Sequence, residues 1–483
     1  MRASIHELVM LNVGCVASAA AAFAATNNPT PIDPTCWPDR FPAKDHCSKC
    51  GLCETTYVSH VNEACAFLGP GMGRIDKMEA KVHGRGRHLD DMAWSDNDQS
   101  AESNVKADEG RFGVLHQPIM LAKGVEKDAQ WTGVVTGIAV SMLESDMVDA
   151  VVCIASKNSD TAFGGAEWSE PEPILAKTVD DVQRGRGVKP ALAPSLRVLD
   201  EIKADASIRR LLFCGVGCGV QAFRAIQDQL GLDEVYVLGT NCADNSPTPQ
   251  AARDFIREGV GIDEGTVKGY EFMQDFKVHV KTNNGYNKKP YFCLPGKVAE
   301  EAIATSCLAC FDYTNALADV VVGYMGAPLQ GDMRMNESCQ TLTVRNARGK
   351  AMVSAATSAG RLLIGEEAQG TGAHEKIAVA TVLADSIVLA MTGGEVKQEG
   401  MPRFVGEVMA FIMSNVGPKG VNFARYSIDY HLLRNYLHVL DAWGESRTHT
   451  ALPRYARDIV DRYVDSDDKL REIQSMIRTK KWN

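Results

Sequence analysis

The chain has 483 residues and 14 cysteines, and the spacing of those cysteines is its first chemical signal. Cys47-Ser-Lys-Cys50-Gly-Leu-Cys53 puts three thiols in one short loop, and Cys65 follows in the next segment. CxxCxxC spacing wraps a loop around one face of an iron–sulfur cube, which a fourth thiolate then closes. Gly51 suits the tight backbone such a loop needs. Four thiolates also suit a structural zinc ion. Zinc sites more often use two separate CxxC knuckles, so three cysteines in one turn favour the cluster. Cys65 does not lead into the Cys-Pro ending of bacterial two-cluster ferredoxins.

A second constellation is dispersed. Cys307-Leu-Ala-Cys310 supplies a pair. Cys218 follows the apolar run RRLLFC in GVGC, and Cys242 follows VYVL in GTNC. Both single cysteines are therefore expected at the C-terminal ends of strands, where open sheets place their sites. The alternative for any lone cysteine is a small buried hydrophobe. That reading is taken for Cys153, Cys293 and Cys339. Cys214 lies inside the same run and ranks below Cys218 as a ligand. Cys15 and Cys36 lie in the leader or linker and are given no role.

Elements must position these thiols. From Gln130 onward, helical and continuous apolar segments alternate: VVTGIAVSMLE then DAVVCIA, SLRVLDEIKA then RRLLFC, VQAFRAIQDQLG then VYVLGTN. Continuous apolar strands predict a mostly parallel sheet covered on both faces by helices, hence an α/β fold. FVGEVMAFIMSNVG and FARYSIDYHLLRNYLHVLDAW predict a helical C-terminal tail. The polar stretch 95–110 reads as a disordered insertion, and 157–173 and 357–376 read as loops. There is no GxGxxG. Gly-rich turns at 131–136, 184–190 and 215–221 offer backbone N–H groups to a pyrophosphate, or are ordinary strand-to-helix turns. The N-terminal run LVMLNVGCVASAAAAFAA reads as a signal-type apolar region with small residues at a cleavage site. No stretch reads as a membrane-spanning helix. The net charge of −10 argues against nucleic-acid binding, which wants a basic face.

PAKDHCSKCGLCETTYVSHVNEACAFLGPGMGRI, HGRGRH, DAQWTGVVT, RGVKPALAPSL, LLFCGVGCGVQAFR, YVLGTNCADN, YEFMQDFKV, SCLACFDYTNALADVVVGYMG, TVRNARGK and VGPKGVNFARYSIDYHLLRNYL occur in this order. From about residue 42 to 465 the chain resembles the family of 7-hydroxymethyl chlorophyll a reductases and ferredoxin-dependent 8-vinyl reductases of divinyl chlorophyllides. That family lies within the superfamily of the deazaflavin-reducing hydrogenase beta subunit. The resemblance implies two 4Fe–4S clusters, on Cys47, Cys50, Cys53 and Cys65 and on Cys218, Cys242, Cys307 and Cys310. It implies one FAD under the loops of Gly133–Thr136 and Lys189–Ser195, to which the 215–221 turn adds Gly215 as a candidate, with reduced ferredoxin as donor and a chlorophyll-type tetrapyrrole as substrate. Composition and patterning divide the chain into a plastid presequence and linker (1–41), an iron–sulfur segment (42–125), an α/β region for flavin and second cluster (126–400) and a helical region (401–483). FCGVGC, GTNC and the long segment after YMG favour the 7-hydroxymethyl substrate. An 8-vinyl substrate, and an electron-transfer subunit without its own chemistry, are the alternatives. Gly219 and Ala243 depart from the family pattern, which has Gln and Val there.

Removing a hydroxyl from carbon calls for a general acid near the departing oxygen. The candidates are His83, His116 and Asp312. An acidic ferredoxin calls for a basic patch, with Lys49, Arg74, Lys77, Arg85 and Arg87 as its candidates. Oligomeric state is left open, a homo-oligomer included.

Overall fold

The computed structural model describes residues 47–480, apart from 67–70, 91, 93, 95–104, 127–128, 157–170, 330–333 and 397–398. The expected leader and linker lie outside the described residues. Eleven strands carry the argument: β1 (Met120–Gly124), β2 (Ala150–Ser156), β3 (Pro171–Ala176), β4 (Arg210–Gly215), β5 (Glu234–Thr240), β6 (Val267–Phe272), β7 (Lys277–Thr282), β8 (Gly285–Pro290), β9 (Val320–Gly323), β10 (Gln340–Val344) and β11 (Leu362–Glu367). The helices that matter to the site are α1 (Val58–Ala64), α2 (Val105–Phe112), α3 (Val134–Glu144), α4 (Gly217–Ile226), α5 (Ala347–Ser358) and α6 (Val421–Trp443).

Eight strands form one sheet in the order β11-β1-β10-β9-β5-β4-β2-β3. β9, β5, β4 and β2 pair in parallel at its centre. β1 runs in their direction, while β3, β10 and β11 run against it. The central strands are apolar throughout because both faces are covered. Leu211, Phe213 and Val237 point to the side of α4. Leu212, Leu238 and Val151 point to the side of α3 and α5. The α/β reading and the helical tail are as expected. In the tail, α6 is the spine against which the helices Arg454–Ser466 and Asp468–Lys480 pack.

Three local expectations differ from the structure. Residues 105–110 of the acidic stretch 95–110 belong to α2, not to a disordered insertion, because Glu109 turns inward; residues 95–104 lie outside the described residues. Its carboxylate accepts from the Arg85 guanidinium and from the backbone N–H groups of His88 and Leu115. The stretch 357–376 contains β11, which pairs with β1 at the edge of the sheet. Only Leu362 of that strand is buried, and LLIGEE lacks the continuous apolar pattern of a central strand. Residues 171–173, expected as loop, open β3; the rest of that expected loop lies outside the described residues. A second, three-stranded antiparallel sheet, β6-β7-β8, was not anticipated at all.

Candidate active site

The first four cysteines come together from two elements. Cys47, Cys50 and Cys53 occupy the loop before α1, and Cys65 ends that helix. The loop turns through left-handed backbone at Lys49 and at Gly51, whose φ is 77°. A β-carbon on Gly51 would lie 2.7 Å from Pro194 Cβ, so the position needs glycine. Burial pushes the Cys50 thiol up to about 12, and Cys65, Cys53 and Cys47 lie close enough to add to the shift. The backbone N–H of Lys49 donates to Cys47 Sγ at 3.3 Å.

The second four also meet. Cys218 sits in the first turn of α4, Cys242 follows β5, and Cys307 and Cys310 bracket a tight turn. Burial raises the Cys242 thiol, and Cys307, Cys218 and Cys310 reinforce it. Asn245 donates from its backbone N–H to Cys307 Sγ at 3.4 Å and from its amide to Cys242 Sγ at 3.6 Å. The Asn435 amide of α6 holds the carbonyls of Cys307 and Cys310 at 2.9 and 2.7 Å. The two quartets adjoin, because Cys50 acts on the Cys218 thiol. Among the described residues, no three His, Cys, Asp or Glu side chains converge as ligands of one metal ion do. A cube gives each thiolate its own iron, so its ligands stand apart, and the all-thiol donor set of each quartet fits that group.

Both quartets open on one cavity of about 640 Å³. Gly133, Thr136, Lys189, Ser195 and Gly215 all line it, as do Cys50, Cys218 and Cys242. Lys189 fastens its own loop, donating from Nζ to the carbonyls of Gly185, Arg186 and Gly187. Burial pulls its pKa down to about 8. Gly219 leaves its wall bare: a β-carbon there would meet only Ser195, 3.6 Å away. The buried side-chain oxygen of Gln340, also in the wall, has no hydrogen-bond partner among the described residues. Bare glycine backbone and an unused acceptor fit a bound polar cofactor such as FAD. Trp131 and Tyr324 stack at 5.1 Å, and Tyr291, Tyr426 and Tyr430 extend the aromatic lining. Cys214 faces Cys153 rather than the second quartet, in keeping with its lower rank as a ligand.

Family models for coenzyme F420 hydrogenase/dehydrogenase beta subunit match the chain, the N-terminal part over residues 120–200 and the C-terminal part over 208–369. Chloroplastic 7-hydroxymethyl chlorophyll a reductase of Oryza sativa subsp. japonica is 46% identical over 91% of this chain and 86% of its own length. The chain belongs to the 7-hydroxymethyl chlorophyll a reductase family, within the coenzyme F420 hydrogenase beta-subunit superfamily. An uncharacterized protein of Nostoc sp. is 36% identical over 88% of this chain and 95% of its own. Coenzyme F420 hydrogenase subunit beta of Methanothermobacter thermautotrophicus is 26% identical over 49% of this chain and 78% of its own.

For a member of the 7-hydroxymethyl chlorophyll a reductase family the expected acids are misplaced, since none of the three lines the cavity. His83 ends the helix Ile75–His83, with its ring nitrogens at the Ala316 carbonyl and the Asn346 amide. Burial pulls its pKa down to about 3, so it stays neutral. His116 is exposed, its backbone N–H bound to the Val344 carbonyl. Asp312 is buried behind the second quartet, accepting from Gln221 Nε2 and the Ala316 N–H. The basic patch is also smaller than expected. Arg87 is buried on Glu79, and Arg85 is bound to Glu109. Burial lowers the pKa of Arg74, which lies beside Cys65. Lys49 and Lys77 are exposed.

Three acids in the wall, Asp244, Glu271 and Asp385, were not among those expected. Glu271 of β6 lines the cavity and accepts from Gln130 Nε2 at 3.0 Å and Trp131 Nε1 at 3.4 Å. Burial pushes its pKa up to about 7, held back by hydrogen bonds from Trp131 and Tyr324. The signal available was YEFMQDFKV, a family motif without cysteine or glycine to give it a role.

Proposed function

We propose that this oxidoreductase reduces the 7-hydroxymethyl group of 7-hydroxymethyl chlorophyll a to methyl, giving chlorophyll a, with reduced ferredoxin as donor and in the plastid. The observation that carries the reading is the meeting of two thiol quartets on one aromatic-lined cavity, in a chain 46% identical to a rice protein of that name. Cys47, Cys50, Cys53 and Cys65 would hold one 4Fe–4S cluster, and Cys218, Cys242, Cys307 and Cys310 the other. Gly133, Thr136, Lys189, Ser195 and Gly215 would border the FAD. When bound, these groups supply the conversion of single electrons into a pair.

The chain's own residues do the rest. Lys189 and its carbonyl partners keep the 185–189 loop closed along one wall. The Trp131–Tyr324 stack and the tyrosines of α6 offer flat apolar surface to a macrocycle and displace water from it. Pockets of a few hundred cubic ångströms with few polar groups bind such ligands by area. The presequence assigned to residues 1–41 would direct the chain to the plastid.

The test is an anaerobic assay of the purified protein with reduced ferredoxin and each of two pigments, read by chromatography. Chlorophyll a from the hydroxymethyl pigment is expected. Saturation of an 8-vinyl group, with the hydroxymethyl pigment untouched, would replace this reading by the vinyl one.

A further inference from the structure

The carboxyls around the cavity differ in their partners. Asp244 faces the Arg434 guanidinium at 2.9 and 3.0 Å and the His431 ring at 3.5 Å. Asp385 caps a helix through the N–H groups of Ile387 and Val388 and accepts from the Tyr430 hydroxyl. Both are committed as acceptors. Among the described residues, the donors to Glu271 are all neutral: the Gln130 amide, the Trp131 indole and the Tyr324 hydroxyl.

Among the described residues, mostly phenols face it from other elements. Tyr286, Tyr291, Tyr313 and Tyr324 sense its charge, as does its neighbour Tyr270. His279 stands directly across from it on β7, in register. The nearby cations are engaged elsewhere: Lys288 with Asp275, Arg334 over the Tyr286 ring, and Lys281 at the Ala129 carbonyl. A carboxyl so placed keeps its proton more readily than one facing a cation. Its place beside the Trp131–Tyr324 stack puts that proton at the aromatic wall where a flat substrate would lie. Behind it, His279 is fully buried, with its nitrogens at the Asp275 carboxylate and the Tyr286 hydroxyl, 2.8 and 2.9 Å away.

We propose that Glu271 is the acid that protonates the departing oxygen of the hydroxymethyl group; this rests on the substrate reading above. The C–O bond breaks with its electron pair on oxygen. That oxygen takes the Glu271 proton and leaves as water. The carbon gains two electrons and one proton, which a reduced flavin, when bound along this cavity, would supply together. One solvent proton then restores Glu271. Two electrons and two protons thus convert –CH2OH into –CH3 and water.

The experiment compares wild-type holoenzyme with Glu271→Gln, which keeps the shape and the hydrogen-bonding oxygen. Visible absorbance of both must show the same clusters and flavin, reduced at the same rate by ferredoxin without pigment. Glu271→Gln should then form chlorophyll a at least about 100-fold more slowly. The wild-type fall in kcat/KM above pH of about 7 should be missing in the variant. Infrared titration of pigment-free holoenzyme should show a protonated carboxyl band that disappears around that pH in wild type and is absent from Glu271→Gln. A variant that makes chlorophyll a at the wild-type rate, or retains that band, overturns the assignment of Glu271 alone. A wild type that leaves the hydroxymethyl pigment unchanged overturns the substrate reading, and with it the departing oxygen.

Discussion

Single residues decide whether this site can exist. Gly51 is the clearest case, with left-handed backbone and Pro194 in the space of a side chain. In Gly51→Ala the backbone alone costs roughly 1–2 kcal/mol, before the clash is counted. The expected outcome is a chain that loses iron and sulfide equivalent to one cluster while retaining flavin, measured by metal analysis and absorbance. Glu271 makes a different prediction, about stability. Its folded pKa is raised from 4.5 to about 7, so the unfolded chain releases this proton first as pH rises. Its contribution is therefore full below about 4.5 and lost by the time pH has risen through about 7. Thermal melts should show wild type losing stability relative to Glu271→Gln across that window. The cysteines were legible because their spacing is local. Glu271 was not, because Gln130, Trp131 and Tyr324 reach it from distant parts of the chain. Arg85 and Arg87 were misjudged for the same reason: a cation's availability is set by its partner, here Glu109 and Glu79.

At the scale of elements, the strands of the parallel centre and the tail helices follow from their apolar patterns. β11 and the β6-β7-β8 sheet were less legible. Their strands are covered on one side or alternate with lysines, as in KVHVKT and GYNKKP, and such patterns resemble loops. α6 shows what an element can do beyond packing. Asn435 reaches from it to the carbonyls of both cysteines in the CLAC turn, so the tail helps to shape the second quartet. Asn435→Ala strands the Cys310 carbonyl at about 1–3 kcal/mol for an unsatisfied buried group, while the Cys307 carbonyl keeps the Cys310 N–H. A lower melting temperature is expected, with iron lost from the second quartet before the first. Equal loss from both quartets, followed by cluster-specific spectroscopy, would count against this.

Across the whole molecule, the net charge of −10 repels an acidic donor protein, so local cations must overcome it. Lys49, beside the first quartet, and Lys77 are the exposed ones among those expected. Lys49→Glu should raise KM for ferredoxin several-fold at low salt with kcat little changed, and the difference should shrink as ionic strength rises. A salt-independent effect would point away from steering. The two quartets differ in how much chain separates their members. The first is drawn entirely from between Cys47 and Cys65, whereas the second needs the segments of Cys218, Cys242 and Cys307 brought together by the sheet. Closing the longer loops costs more chain entropy, and that cost is met only when β4, β5 and the CLAC turn are in place. An unfolded chain therefore gathers the first four thiols more readily than the second four. If both quartets take up iron as proposed, the connectivity sets the order in which they fill during maturation: the first would do so early, and the second would record that folding is complete.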